Sequence, residues 1–183
     1  MIEIAEVTEL ARALLHELDA THDKLVLAES CTGGLTSALI TRIPGASKLF
    51  CGSLVVYREA TKTDWLSISQ ALIEENSAVD KIIAENMAKS VLTNTPEATI
   101  AGAVTGYLGP DSLPGRDGDL FIALAWRKDS KIKTSTQYFS LPELESSPTK
   151  NPEERRINRQ VLASQLLIKV VRSLLNNTKN ERR

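Results

Sequence analysis

Ser30, Cys31 and Thr32 stand side by side in the segment Ala28-Glu29-Ser30-Cys31-Thr32-Gly33-Gly34. Two of these side chains, Ser30 and Cys31, could act as nucleophiles. A thiol is intrinsically the better one, and a helix N-terminus lowers its pKa. Serine needs a base, which a lysine can supply if burial lowers its own pKa. Neither histidine, His16 or His22, lies near this segment. The two glycines let a backbone approach closely. If they open a helix, the unbonded N–H groups there could hold a phosphate or stabilise an oxyanion. Helix capping by Ser30 or Thr32 is the plainer function of the same residues.

Two further segments carry possible chemistry. Val56-Tyr57-Arg58-Glu59-Ala60-Thr61-Lys62 offers Lys62 as a base and Tyr57 as a hydrogen-bond partner. Thr105-Gly106-Tyr107-Leu108-Gly109-Pro110-Asp111 is rich in residues that turn the chain and in polar groups. All three segments follow apolar runs. Ligands in open α/β sheets bind beyond the carboxyl ends of strands, so the three predict one shared pocket.

The elements that must position them can be read from periodicity. Ile4, Val7, Leu10, Ala11, Leu14, Leu15 and Leu18 recur at helical spacing, which predicts a helix over 3–20. The apolar run 25–28 predicts a buried strand. A helix follows from Gly33-Gly34 and stops at Pro44-Gly45. Residues 52–57 predict a second strand and 61–67 a short helix. Ser77 and Asp80 resemble a capping box for a helix over 78–92. Residues 98–104 predict a third strand, and 119–126 with 132–139 a hairpin. A surface loop spans 140–151. Asn151-Pro152-Glu153-Glu154 starts a last helix: a capping side chain, Pro at the first position, acids in the first turn. That helix is expected to end near Leu175, with 176–183 a frayed polar tail. Alternating strands and helices with a terminal hairpin predict a three-layer α/β/α fold on a mixed, mostly parallel sheet. Residues 1–183 read as one domain.

Composition narrows the function. The 183 residues include 22 basic and 23 acidic side chains, a net charge of -1, so no general attraction to nucleic acid or a membrane surface is expected. Glu3, Glu6 and Glu9 interrupt the first ten residues and predict no secretory leader. No apolar stretch is long enough to span a bilayer. Two cysteines, Cys31 and Cys51, predict reduced thiols and a cytosolic setting. No spacing of metal ligands is evident.

Together the segments resemble the C-terminal domain of the CinA (competence/damage-inducible) family. Ala28 to Gly34 carries the first motif, Pro44-Gly45-Ala46-Ser47 a turn, Tyr57 with Lys62 and Leu66 the next block, and Thr105-Gly106 with Gly109-Pro110-Asp111 the last. The resemblance implies a nicotinamide-nucleotide amidase of pyridine nucleotide salvage. Such an enzyme converts nicotinamide mononucleotide to nicotinate mononucleotide and ammonia, without metal or cofactor, as a homodimer. It further implies Ser30 as nucleophile, Lys62 as base, and Tyr57 and Thr105 as assistants. Substrate contacts are implied for Glu29, Thr32, Gly33, Gly34, Ser47, Gly106, Gly109, Asp111 and Arg159. The chain departs from the family at Tyr107-Leu108, at Ser112-Leu113, and at Glu154 and Asn158 before the last helix. These departures keep two alternatives open: a non-catalytic nucleotide- or partner-binding domain, or a serine amidase for a different amide.

Overall fold

The computed structural model describes residues 4–141 and 151–181. Its elements in order are α1 (Ile4–Thr21), β1 (Leu25–Glu29), α2 (Leu35–Thr41), a 3-10 turn (Ala46–Lys48), β2 (Phe50–Val55) and α3 (Glu59–Leu66). Then come α4 (Gln70–Asn76), α5 (Lys81–Asn94), β3 (Ile100–Gly106), β4 (Asp119–Lys128), β5 (Lys131–Ser140) and α6 (Pro152–Glu181). The five strands form one sheet in the order β2-β1-β3-β4-β5. β1 pairs parallel with β2 and β3, while β3–β4 and β4–β5 are antiparallel.

The period of two along each strand decides how the layers stack. Leu25 and Leu27 of β1, Ile100 and Val104 of β3, and Leu120, Ile122 and Leu124 of β4 turn toward one face. There they form a core with α1, α2 and α6. Val26, Ala28, Ala101, Ala103, Ala123 and Ala125 alternate with them and pack with α3, α4 and α5 on the other face. The second face is mostly alanine, so the buried residues Ile83, Met87 and Val91 of α5 supply its bulk. The architecture is therefore three-layer α/β/α on a mixed sheet, as the sequence predicts. Gly102 sits where α6 crosses: a Cβ there would lie 2.9 Å from Leu27 and 3.1 Å from Leu167.

Four expectations need correction. α4, capped by the Ser69 side chain accepting from the Leu72 amide at 3.2 Å, is absent from the sequence reading. It buries only Ile73, so it leaves almost no periodic signal. α5 begins at Lys81 rather than 78, because Asp80 is its cap, accepting from Ile82 N at 2.8 Å. Ser77 ends α4 instead. The last helix does not stop near Leu175 but continues through 176–181 to Glu181. A long helix already nucleated and packed extends across polar residues at little cost. The predicted loop 140–151 lies for the most part, at 142–150, outside the described residues.

Candidate active site

The parallel strands β1, β2 and β3 end at the same edge of the sheet, so the turns that follow them meet there. Ser30 follows β1. Tyr57 and Lys62 follow β2, the latter one turn into α3. Thr105 and Gly106 close β3. The four-residue turn from Ser30 to Gly33 is closed by Gly33 N donating to Ser30 O at 3.0 Å. It is tied back to the sheet by Ser30 N donating to Val104 O at 3.0 Å. Gly33 and Gly34 have φ of 61° and 93°, which only glycine adopts freely.

These turns enclose a cleft of about 300 Å³ lined by Ser30, Cys31, Tyr57, Lys62, Thr105 and Gly106, among others. Tyr107, Gly109, Asp111 and Arg156 continue the lining, with Ala78 and Val79 from the α4–α5 junction. Ser30 is 7% exposed and Lys62 only 1%. Lys62 Nζ lies 3.1 Å from Ser30 Oγ and donates to Val56 O at 2.8 Å. Burial pushes the Lys62 amine down to about 8, although the Glu59 carboxylate pulls it the other way. The first amides of α2 face the Glu29 carboxylate instead. Cys31 goes the opposite way: burial holds its thiol up at about 12. It is therefore protonated and inert at neutral pH.

The residues implied by the resemblance divide into those the fold gathers and those it does not. Ser30, Lys62, Tyr57, Thr105, Gly106, Gly109 and Asp111 share the cleft. Thr105 is buried, and its hydroxyl donates to Ala78 O at 2.9 Å, which joins the cleft floor to the α4–α5 junction. Tyr57 is 57% exposed at the rim.

Glu29 does not face the cleft. It is 0% exposed and accepts from Thr32 Oγ1 at 2.7 Å, Thr36 N at 3.1 Å and Ser37 N at 3.0 Å, and from the Ser37 hydroxyl. It is an internal cap for α2, and it takes the amides expected to be open to an anion. Thr32 is buried against it. Gly33 and Gly34 shape the turn without lining the cleft.

Ser47 lies at the other end of the sheet. It belongs to the turn before β2, whose Leu49 O accepts from Leu25 N at the start of β1. The six residues of β2 separate it from the site edge, about 20 Å at ~3.3 Å per residue.

Arg159 is 1% exposed and pairs with Asp117 at 2.9 Å, behind the cleft wall. Burial raises the Asp117 carboxyl, but hydrogen bonds from Ser112 and Arg159 outweigh it and hold the group below its usual range. The arginine that does reach the cleft is Arg156. It donates to Gly109 O and, at 2.7 Å, to Tyr57 Oη, bridging two loops across the mouth. Both arginines sit on one turn of α6, so helical spacing alone does not choose between them. No group of three His, Cys, Asp or Glu among the described residues could hold a metal ion. None of the described helices is long and apolar enough to cross a membrane.

Comparison with known proteins follows the same lines. The chain is 36% identical to a CinA-like protein of Syntrophotalea carbinolica over 126 residues, which are 68% of this chain and 30% of that protein. It is 36% identical to a CinA-like protein of Myxococcus xanthus over 117 residues, 63% of this chain and 28% of that one. The matched segments thus span less than a third of these relatives. The fold is similar to the crystal structure of the competence/damage inducible protein CihA from Agrobacterium tumefaciens. The TM-score is 0.79 at 24% identity, covering 93% of this chain and 95% of that one. The competence damage-inducible protein A (ComA) from Klebsiella pneumoniae gives 0.77 at 22%, covering 90% and 94%. At such identities the likeness bears on the fold alone. The CinA C-terminal domain model matches residues 7–143, most of the chain and every strand of the sheet, and the chain belongs to that family.

Proposed function

We propose that the chain is an amidohydrolase with a serine–lysine mechanism, acting on nicotinamide mononucleotide. The observation that carries this reading is the buried Lys62 amine 3.1 Å from Ser30 Oγ. A lysine that titrates near 8 can be neutral and take a proton from a serine. Ser30 Oγ would attack the amide carbon as its proton passes to Lys62 Nζ. The resulting oxyanion needs donors. Thr36 and Ser37 have committed their amides to Glu29, so those of Cys31 and Thr32, in the turn itself, are the candidates. Lys62 then returns the proton to the leaving ammonia, and an acyl-serine remains. Water, deprotonated by the same amine, cleaves the acyl-serine to the carboxylate and frees Ser30.

Arg156 lines the cleft and stays charged while Lys62 serves as the base, so it is the group placed to meet an anionic substrate. A phosphate could take the Arg156 guanidinium from Tyr57 Oη, gaining a charge-assisted bond in place of a neutral one. This gives Arg156 the anion-binding role that the resemblance implies for Arg159. The reading carries with it a homodimer and a cytosolic site of action.

Purified protein incubated with nicotinamide mononucleotide should release ammonia and nicotinate mononucleotide in equal amounts, with or without a chelator. No ammonia from this substrate would overturn the reading. Ammonia that disappears with the chelator and returns with a divalent ion would overturn the metal-free mechanism. The same chemistry on another amide is the second reading. Tyr107 and Leu108, where the chain departs from the family pattern, line the cleft and would set that selectivity.

A further inference from the structure

Ser30 follows β1, the strand between β2 and β3, so the loops carrying Tyr57 and Tyr107 flank it on either side. The two rings are held differently. Tyr57 is exposed at the rim, and its hydroxyl is tied to Arg156. Tyr107 is fixed at every handle it has. Its hydroxyl bonds Ser77 Oγ at 2.9 Å. Its amide donates to Asp119 O at 2.8 Å, and its carbonyl accepts from Gly118 N at 2.9 Å. The Arg116 guanidinium lies 5.3 Å from its ring centroid. Arg116 is itself locked, donating to Asp119 and to Val79 O at 2.8 Å each. Tyr107 lines the cleft and Arg116 does not, so the guanidinium backs the ring from behind.

Nothing in the serine–lysine chemistry uses this assembly. Three elements converge to immobilise one half-buried aromatic ring beside the nucleophile: the α4–α5 junction, the start of β4 and the loop after β3. A ring held this way presents a flat apolar surface and loses almost no rotamer freedom when something stacks on it. We propose that Tyr107 is a specificity-determining residue of the cleft, a rigid platform on which a planar aromatic ring bearing the scissile amide stacks. The inference rests on the amidase reading of the same cleft and names the residue that would hold the substrate's ring.

The test separates the two. Calorimetric titrations are made on protein carrying Ser30→Ala, so that no turnover intervenes, with nicotinamide mononucleotide and with ribose 5-phosphate, which lacks the ring. Adding Tyr107→Leu should weaken the nucleotide by roughly two- to tenfold, the range of an aromatic pair, and leave ribose 5-phosphate unchanged. Adding Tyr107→Phe keeps the ring and should restore nucleotide affinity to within about twofold, since only the neutral bond to Ser77 is lost. Equal weakening of both ligands by Tyr107→Leu would mean that the residue only shapes the loop, and would overturn the proposal. So would unchanged nucleotide affinity, or no nucleotide binding before Tyr107 is altered. Ring-dependent binding without ammonia release from the Ser30 enzyme would uphold the platform and overturn the amidase. Ammonia release whose KM ignores Tyr107→Leu would do the reverse.

Discussion

The proposed mechanism sets Lys62 two demands that conflict in water: closeness to Ser30, and loss of its proton near neutral pH. At a pKa of about 8, roughly one Lys62 in ten is neutral at pH 7, against about one in three thousand at the ordinary 10.5. Turnover should therefore rise with pH and level off above about 8. Ser30→Ala and Lys62→Ala should each lower kcat by several orders of magnitude, and the double variant should be hardly worse than either. Lys62→Arg should fail as well, because a guanidinium does not act as a base; a near-normal kcat in that variant would sink the mechanism. Burial of this amine also has a thermodynamic signature. Its folded pKa lies below its unfolded one, so the unfolded chain binds more protons between pH 8 and 10.5. Wild-type stability should thus rise with pH across that window relative to Lys62→Met, by at most a few kcal/mol. A stability difference that is flat from pH 7 to 10 would show that the amine is not perturbed. Cys31, with its thiol held near 12 by burial, has no such task. Cys31→Ala should keep most of the activity, and a dead Cys31→Ala beside an active Ser30→Ala would exchange the two roles.

At the scale of elements, the turn that presents Ser30 depends on a carboxylate that never meets solvent. Glu29 ends β1, and its side chain folds over the first amides of α2. It thereby fixes strand and helix on either side of Ser30. Glu29→Gln would turn an amide NH2 toward groups that are themselves donors. The expected cost is about 1–3 kcal/mol in urea unfolding, the scale of buried groups left unsatisfied. A change below about 0.5 kcal/mol would show that the cap does not hold the turn. Strands and long helices were legible in the sequence because they alternate apolar residues with periods of two or 3.6. The position of the Ser30–Lys62 pair was legible because both follow strands that end at one edge. The capping role of Glu29 was not legible, since a buried carboxylate is invisible until the donors around it are placed. Ser47 falls away from the cleft for a related reason. A family motif carries residue order, whereas the end of the sheet on which the turn falls depends on β2 running parallel to β1. The choice of Arg156 over Arg159 needed the rotation of α6 about its axis, which its sequence leaves open between neighbours three apart.

At the scale of the whole molecule, the cleft draws on residues from Ser30 to Arg156, and α6 binds together what the rest of the chain leaves apart. It packs on α1 through one apolar core. Arg172 grips Glu17 at 2.9 and 2.6 Å, and Gln165 reaches Glu6 at 3.1 Å. Its opening turns carry Arg156, the buried Arg159, and Gln160, which donates to Cys31 O at 3.1 Å, next to Ser30 in the chain. A polypeptide leaves the ribosome in residue order, so α1 emerges long before the helix that covers Val7, Ala11, Leu14 and Leu18. Until residue 152 and its successors are free of the exit tunnel, that stripe lacks its α6 cover, and chaperones that hold apolar segments have a ready target. Nascent chains stalled before residue 152 should accordingly be cut readily by protease, and chains released past Leu175 should resist. The same order delays the cleft: Ser30 and Lys62 can meet early, but Arg156 joins them only after residue 152 and its successors have left the ribosome.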